Sequence, residues 1–480
     1  MMHNRWKTRT RHTRRRAGMV LYAILVITAM ATMIAASTMF RMQAEVAASA
    51  SYVRTDQSWS AAYSGVKHAM NILSQPPSEG GNYDNPDIYA DQLVCSESGD
   101  DWYFTIYAFN EEDDEAVRYG VTDTASKINV NSAPRKTLEA LPEMTPELVD
   151  CLIDFRDSDN EPQENGAEQE YYNQLTHPYS IRNGSLTSIE ELLLIKGFNG
   201  TLVYGEDANF NTLLDANEDD GDESHPDDNS DGMLNRGLRS QLTVMSYQLN
   251  VDSGNQKQIN INGSISSSKL RNAVGASTAE FIEFCRKGGK KFTHPSELLN
   301  MSYTATTSSS GGSRRRRGRG SSSPKTETRS SPVKSASSLA RVLDKLTVSS
   351  APVSMGQVNV NTASPEVLLA VLGSDNADMV DRIIGLRADL DPEESATIAW
   401  LYGNDIVGAE AFKKVAPMLC ARGFQYRVQV IGFGIKSGRY CVLEAIIDLA
   451  SRTPRVLYLR DLTGLGVPFP LENLQERVGD

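Results

Sequence analysis

From Met19 to Phe40 the chain reads MVLYAILVITAMATMIAASTMF, without a charged side chain, directly behind the basic stretch RWKTRTRHTRRRAG. At about 1.5 Å rise per residue this run spans a hydrocarbon core of roughly 30 Å as one helix. The Lys and Arg ahead of it predict a cytoplasmic N-terminus, with the remainder of the chain outside. Beyond Phe40 small and apolar residues (Ala47, Ala48, Ala61, Ala62, Gly65, Ala69, Ile72) recur among polar ones. The same helix is therefore predicted to continue through Leu73, a rod over 19–75 lying half in lipid and half in water.

Past the rod the periodicity alternates between strand and helix. Trp102–Ala108, WYFTIYA, reads as a strand, with Val117–Val121 as its partner across the acidic turn NEEDDE. Ile128–Asp157, INVNSAPRKTLEALPEMTPELVDCLIDFRD, has Leu138, Leu141, Leu148, Leu152 and Ile153 at helical spacing, broken into two short helices by Pro142 and Pro146. The pattern recurs over Val358–Asp389, where Asn359, Asn361, Ala363, Leu368, Ile384 and Arg387 repeat Asn129, Asn131, Ala133, Leu138, Ile153 and Arg156. A weaker third copy covers Ile259–Gly288, and the tails LTSIEELLLIKGF and FTHPSELLN repeat as well. YRVQVIGFG, GRYCVLEAIIDLA and RVLYLRD predict three closing strands with a glycine turn at Lys436–Gly438. Ser302–Ser338 is rich in Ser, Gly, Pro and clustered Arg, and reads as a flexible linker. Its Arg314–Arg317 run could meet anionic lipid or nucleic acid, or stand solvated. The chain thus divides into a leader 1–18, the rod 19–75, first strands 76–127 and a first helical unit 128–200. An acidic insert 201–240, a weaker helical unit 241–301, the linker 302–338, a second clear helical unit 339–422 and a β region 423–480 follow. The expected class is α/β (α+β): a long pilin-like transmembrane helix, then small β-sheet regions with inserted helical units of helix-hairpin-helix (SAM-like) type.

Charge narrows the chemistry. Asp plus Glu number 61 against 48 Lys plus Arg, and the leader and linker hold much of the positive charge. An acidic outer part disfavours nucleic acid and suits divalent cations. Five scattered cysteines with no CxxC read as small buried residues, or one or two disulfides, and describe no zinc site. No nucleophile elbow, HExxH or phosphate-binding glycine loop appears, so no enzyme is expected.

The sharpest chemical pattern is DANFNTLLDANE. Asp207, Asn209 and Asn211 occupy positions 1, 3 and 5 of a calcium loop, Leu213 offers its carbonyl at 7, Asp215 stands at 9 and Glu218 at 12. Thr212 stands where glycine usually permits the bend. A second, partial loop has Asp227, Asn229, Asp231 and Gly232 at positions 1, 3, 5 and 6 but Leu238 at 12, and would need a carboxylate from the run Glu218, Asp219, Asp220 and Asp222. The alternative is an acidic, disordered loop. In DFRDSDNEPQENGAEQEYY, Asp157 and Asp159 could bind another cation with Glu168, or simply solvate a loop that also carries Asp154. Within the calcium insert, Asp228 reads as a non-ligand whose replacement should matter little.

Three processing patterns fit the N-terminus: an uncleaved signal anchor, a secretory signal cut near Ala35-Ala36-Ser37, or a prepilin-like leader ending in Gly18 and removed before Met19. Several stretches together resemble the K-type minor pseudopilins of the type II secretion system. They are the leader ending in Gly18, INVN, DFRDSDNEPQENGAEQEYYNQLTHPYSIRNGSLTSIEELLLIKG, VNVNTASPEVLLAVL, and the closing YRVQVIGFG to RVLYLRD. The linker and the Asp207–Gly232 insert fall outside the resemblance. It implies an inner-membrane protein cleaved by prepilin peptidase, working with an inner-membrane secretion platform. Its periplasmic domain would bind calcium and cap the pseudopilus tip with other minor pseudopilins. Met19 replaces the usual phenylalanine at mature position 1. Ala23 stands where most pilin-like helices carry the Glu that pairs with a neighbour's amine, which suits a subunit with nothing above it. INVNSAPRKTLEALPEMTPELV also resembles the helix-hairpin-helix of anchored DNA-uptake proteins. Its hairpin Pro142-Glu143-Met144-Thr145-Pro146, however, has no glycine and carries an acid.

Overall fold

The computed structural model describes residues 16–75, 82–97, 99–110, 116–221, 223–307, 325–451 and 453–469. The leader up to residue 15 and the Arg314–Arg317 run lie outside them.

Helix α1 runs from Arg16 to Leu73. It is the one helix among the described residues long and apolar enough to cross a membrane. Its threonine hydroxyls within the apolar run are satisfied internally: Thr28, Thr32 and Thr38 donate to the carbonyls of Leu25, Ala29 and Ala35 at 2.9–3.0 Å. In lipid a free hydroxyl would have no water to bond. Past Tyr52 one stripe turns inward. Ser58, Ala61, Ala62, Val66, Ala69 and Met70 are buried at helical spacing, whereas Ala47 and Ala48 stay exposed.

That stripe lies on an antiparallel sheet. Strands β1 (Gln92–Glu97), β2 (Asp100–Phe109), β3 (Val117–Arg118) and β4 (Thr122–Asp123) come from the start of the outer region. Strands β5 (Gln425–Gly434), β6 (Tyr440–Asp448) and β7 (Arg455–Asp461) come from its end. The order is β1-β2-β5-β6-β7, with β3 on β2 and β4 on β5. The two predicted β regions are therefore one sheet, joined where Ile106 faces Val430 and Phe104 faces Gly432. Alternation divides its two faces. Phe104, Ile106, Val428, Val430, Leu443 and Ala445 meet α1, and Tyr107, Ile431, Phe433, Val442 and Leu462 form a second cluster on the other face. Small residues let the helix approach, since a Cβ on Gly432 would stand 2.2 Å from the Ala62 nitrogen and 2.5 Å from the Ser58 oxygen.

All helical units are inserted between β4 and β5, whose flanks meet where Thr124 Oγ1 donates to the Gln425 carbonyl at 2.9 Å. The sequence repeat corresponds to a repeated closure. Each unit opens on a two-residue strand that pairs in parallel with a two-residue strand at its own end. The pairs are Ile128–Asn129 with Leu242–Thr243, Ile259–Asn260 with Leu346–Thr347, and Val358–Asn359 with Leu419–Cys420. The second asparagine of each motif ties a distant loop. Asn131 exchanges two hydrogen bonds with Leu186 at 2.7 and 2.9 Å, Asn262 does the same with Phe292 at 2.8 and 2.9 Å, and Asn361 donates to Ser395 and Ala421. An arginine ending the second helix returns to the opening turn: Arg156 to the Val130 and Ala133 carbonyls, Arg286 to Gly263, Arg387 to Ala363. The tails share a device too, because Thr187 and Thr293 each donate through backbone and hydroxyl to the glutamate four residues on.

These roles predict the cost of losing them. Arg156→Ala leaves two carbonyls without their charged donor and should cost about 1.5–3 kcal/mol, and Arg156→Lys, lacking the planar fork, should recover only part. Urea midpoints of the three proteins check this.

Several boundaries shift from the sequence reading. The stretch 302–338 is not a linker at its ends, because Ser302–Thr307 and Lys325–Ser330 pair as a hairpin, and the helix Ala336–Lys345 begins inside it. Composition hid this, since apart from Tyr303 and Ala305 the hairpin strands are Ser, Thr and charged residues. That helix leads into Leu346–Thr347, so residues up to 347 complete the middle unit and do not open the last one. Likewise Gly237–Gln241, across the end of the acidic insert, leads into the strand that closes the first unit. The five cysteines are unpaired, and Cys151, Cys285 and Cys441 are buried.

Candidate metal centres

The segment Asp207–Glu218 is an ordered turn. Asn209 Oδ1 accepts the Asn211 N–H at 2.9 Å and Asn211 Oδ1 accepts the Leu213 N–H at 2.8 Å, winding the backbone round the odd positions. The Asn209 and Asn211 amides both donate to Asp215 Oδ2, at 2.7 and 2.8 Å. Glu218 closes the loop, accepting from Ala208 and Asp215 N–H groups at 3.2 and 3.3 Å. At position 6 Thr212 adopts φ +67°, the left-handed conformation that glycine usually supplies there, and Phe210 has φ +59°. The bend is made without the glycine.

Asp207 and Glu218 are almost fully buried, at 3% and 1% exposure, and Asp207 Oδ1 has no hydrogen-bond partner. Burial, together with the nearby Asp207 and Asp215, pushes Glu218 up to about 7, and burial also raises Asp207. Two buried acids with one orphaned oxygen form a donor set that fits a hard cation. Such an ion would be held by Asp207, Asn209, Asn211, Leu213, Asp215 and Glu218.

The partial loop is more open. Asp227, Asn229 and Asp231 are exposed, while Asn229 Oδ1 accepts from Asp231 N–H at 3.0 Å and Asp231 Oδ1 from Met233 N–H at 2.9 Å. From the acidic run, Asp219 reaches it, accepting the Gly232 N–H at 2.9 Å. Buried Glu206, which the sequence reading missed, also reaches it: it accepts the Asn235 N–H at 3.0 Å, and burial and the nearby Asp228 and Asp231 raise its affinity for a proton. Asp222 lies outside the described residues. Asp228 is not a bystander, because its carboxylate accepts N–H groups from Asp220, Gly221 and Ser230 at 2.7–3.1 Å and staples the two sides of the insert.

The third centre differs in membership from the expectation. Asp154, Asp157 and Glu168 bring their oxygens within 4.8 Å of one another. Asp159 is exposed and turns back to accept the Glu161 N–H at 2.9 Å. Asp154 and Asp157 leave the end of helix Pro146–Arg156 one turn apart, whereas two residues further on the chain has already left the helix. Asp154 is held by the Gln163 N–H at 3.1 Å, and Gly166 passes so close that any side chain there would collide with it. Both Glu168 oxygens lack a partner. Burial and the charges of Asp154, Asp157 and Asp159 push Glu168 up to about 7. In the same unit the hairpin residue Glu143 is exposed with φ +62°.

A membrane-length helix whose outer half lies on an antiparallel sheet, with helical units inserted between two neighbouring strands, defines an anchored pilin-like protein with a large added outer region. Residues 128–204, which hold the third centre and the opening of the insert, match the family described as "Type II secretion system (T2SS), protein K". The chain is similar to the type II secretion system protein K of Pseudomonas aeruginosa, with 28% identity over 196 residues, 37% of this chain and 57% of that relative. It thus spans little more than half of the relative it matches. Among solved structures, the crystal structure of the GspK-GspI-GspJ complex from the enterotoxigenic Escherichia coli type 2 secretion system is similar with a TM-score of 0.41 and 10% identity, over 86% of this chain and 98% of that one.

Proposed function

We propose that the chain is a minor pseudopilin at the tip of a type II secretion pseudopilus, a non-catalytic component of protein export across the outer membrane. The observation that carries this is the protein K match over 128–204, on an insert borne by a membrane-length helix. In this reading α1 is anchored in the inner membrane, with its N-terminus cytoplasmic and the sheet and helical units periplasmic. Prepilin peptidase cuts after Gly18, leaving Met19 first. Ala23 offers no carboxylate to a neighbour's amine, so no subunit is added above this one. Its partners are other minor pseudopilins and the inner-membrane platform. Calcium, held by the two insert loops and by Asp154, Asp157 and Glu168, would supply the positive charge that these carboxylates lack.

The test is made in the native host. Deletion should abolish export, a labelled copy should mark filament ends only, and N-terminal mass analysis should find Met19 first. Labelling along the shaft, or a mature terminus near Ser37, would overturn the assignment.

A further inference from the structure

The loop Asp207–Glu218 has two sides. On one side the Asn209 and Asn211 amides turn to Asp215, and on the other the residue between them packs at the sheet. Phe210, flanked by Asn209 and Asn211, is 7% exposed and packs on the outer face of the sheet with Tyr107, Ile431, Phe433 and Val442. Leu213 packs at the edge of the same cluster. The Phe210 carbonyl accepts from Gln429 Nε2 of β5 at 3.1 Å. Its ring lies under the Arg239 guanidinium at 4.0 Å, and Arg239 pairs with Glu444 of β6 at 2.7 Å. At this contact residue 210 adopts φ +59°, a left-handed conformation that costs a bulky residue energy unless its surroundings hold it.

We infer that this loop is a cation-operated latch, which holds the inserted helical region against the outer face of the pilin sheet when its oxygen ligands are gathered on an ion. The inference rests on the calcium reading of the same loop. Gathering positions 1, 3, 5, 9 and 12 on one ion fixes the backbone between Asn209 and Asn211 and so aims Phe210 at its pocket. Without the ion, the buried acids Asp207 and Glu218 repel each other, and the conformation at 210 is held by the ring's packing, the Gln429 hydrogen bond and the Asn209–Asn211 turn alone. Coupling of this kind is reciprocal: if calcium favours docking, docking favours calcium by the same factor. Phe210 provides no ligand, so its ring can be removed without touching the ion's oxygens.

The full chain in detergent micelles is titrated with calcium while hydrogen exchange is followed in residues 207–214 and hydroxyl-radical oxidation is followed at Tyr107 and Phe433. In the wild type, calcium should protect both. Phe210→Ala should move the calcium midpoint for 207–214 up about tenfold, within the usual range of coupling, and leave Tyr107 and Phe433 oxidisable throughout. Phe210→Leu should recover most of the shift, and unchanged exchange in 146–156 shows that the first unit remains folded. A midpoint unmoved in Phe210→Ala overturns the latch and leaves calcium binding standing. Absence of any calcium-dependent protection of 207–214 in the wild type overturns the calcium reading and the latch with it.

Discussion

Gly432→Ala should destabilise the protein by about 3 kcal/mol, the upper end of overpacking costs. The added methyl meets main chain, the Ala62 nitrogen at 2.2 Å and the Ser58 oxygen at 2.5 Å, so no rotamer change relieves it. Either α1 lifts from β5 or the strand bows away, and both open the layer of Phe104, Val66 and Val430 beneath. The comparison is Gly385→Ala, in the last turn of helix Ala377–Arg387 with open space around it. There the same methyl should be neutral or stabilise by roughly 0.5–1 kcal/mol, because alanine loses less backbone freedom in a helix. Urea denaturation of the two variants separates these outcomes. Equal midpoints would show that α1 does not rest on the sheet in solution.

Calcium should raise the melting temperature by roughly 5–10 °C at neutral pH, and by much less at pH 5. Binding to the folded form at a hundredfold excess over Kd adds about 2.7 kcal/mol, and 1 kcal/mol moves the midpoint of a cooperative unit of roughly 150–250 residues by about 2–4 °C. The pH dependence follows from Glu168 and Glu218, both pushed up to about 7 by burial and neighbouring carboxylates. An acid that holds its proton more tightly when folded favours folding below its unfolded value, and that contribution is lost as pH rises through the folded one. In chelator, stability should therefore fall between about pH 4.5 and 7 and then level off. A cation replaces the lost protons, so the calcium and chelator curves should separate over the same window. Glu168→Gln should melt higher than wild type in chelator at pH 8. Coincident melts in calcium and chelator at pH 8 would refute the metal centres.

The rod, the strands β2, β5, β6 and β7, and the duplicated helical motif are legible because each rests on a local period. Three features were not. That β2 and β5 are neighbours is a pairing across the whole insert, and no local pattern encodes it. The end of the middle unit was hidden because a polar stretch interrupts the unit, and the composition of that stretch spread to the hairpin strands beside it. Membership of the third centre was misread because sequence proximity favoured Asp159, whereas helix geometry places Asp154 and Asp157 together and the turn at Gly166 brings Glu168 to them. The turn of the first loop was legible, since the odd-position asparagines Asn209 and Asn211 each accept the N–H two residues on. What the spacing did not disclose is that Phe210, a non-ligand, carries the loop onto the sheet, with Leu213 at the edge of the contact.

The insertion of every helical unit between β4 and β5 also sets an order of events during synthesis. The strand that fills the centre of the sheet emerges only after the insert, with Thr124 and Gln425 separated by 301 positions. The three units close on pairings within their own length, so each can fold as it is made, and long-range closure is the slow step. Until β5 arrives, β2 has no neighbour on its inner side and the stripe of α1 from Ser58 to Met70 has no floor to rest on. A nascent chain therefore carries folded units on an unfinished base, and the strands from Gln425 to Asp461 decide whether the anchor is seated at all.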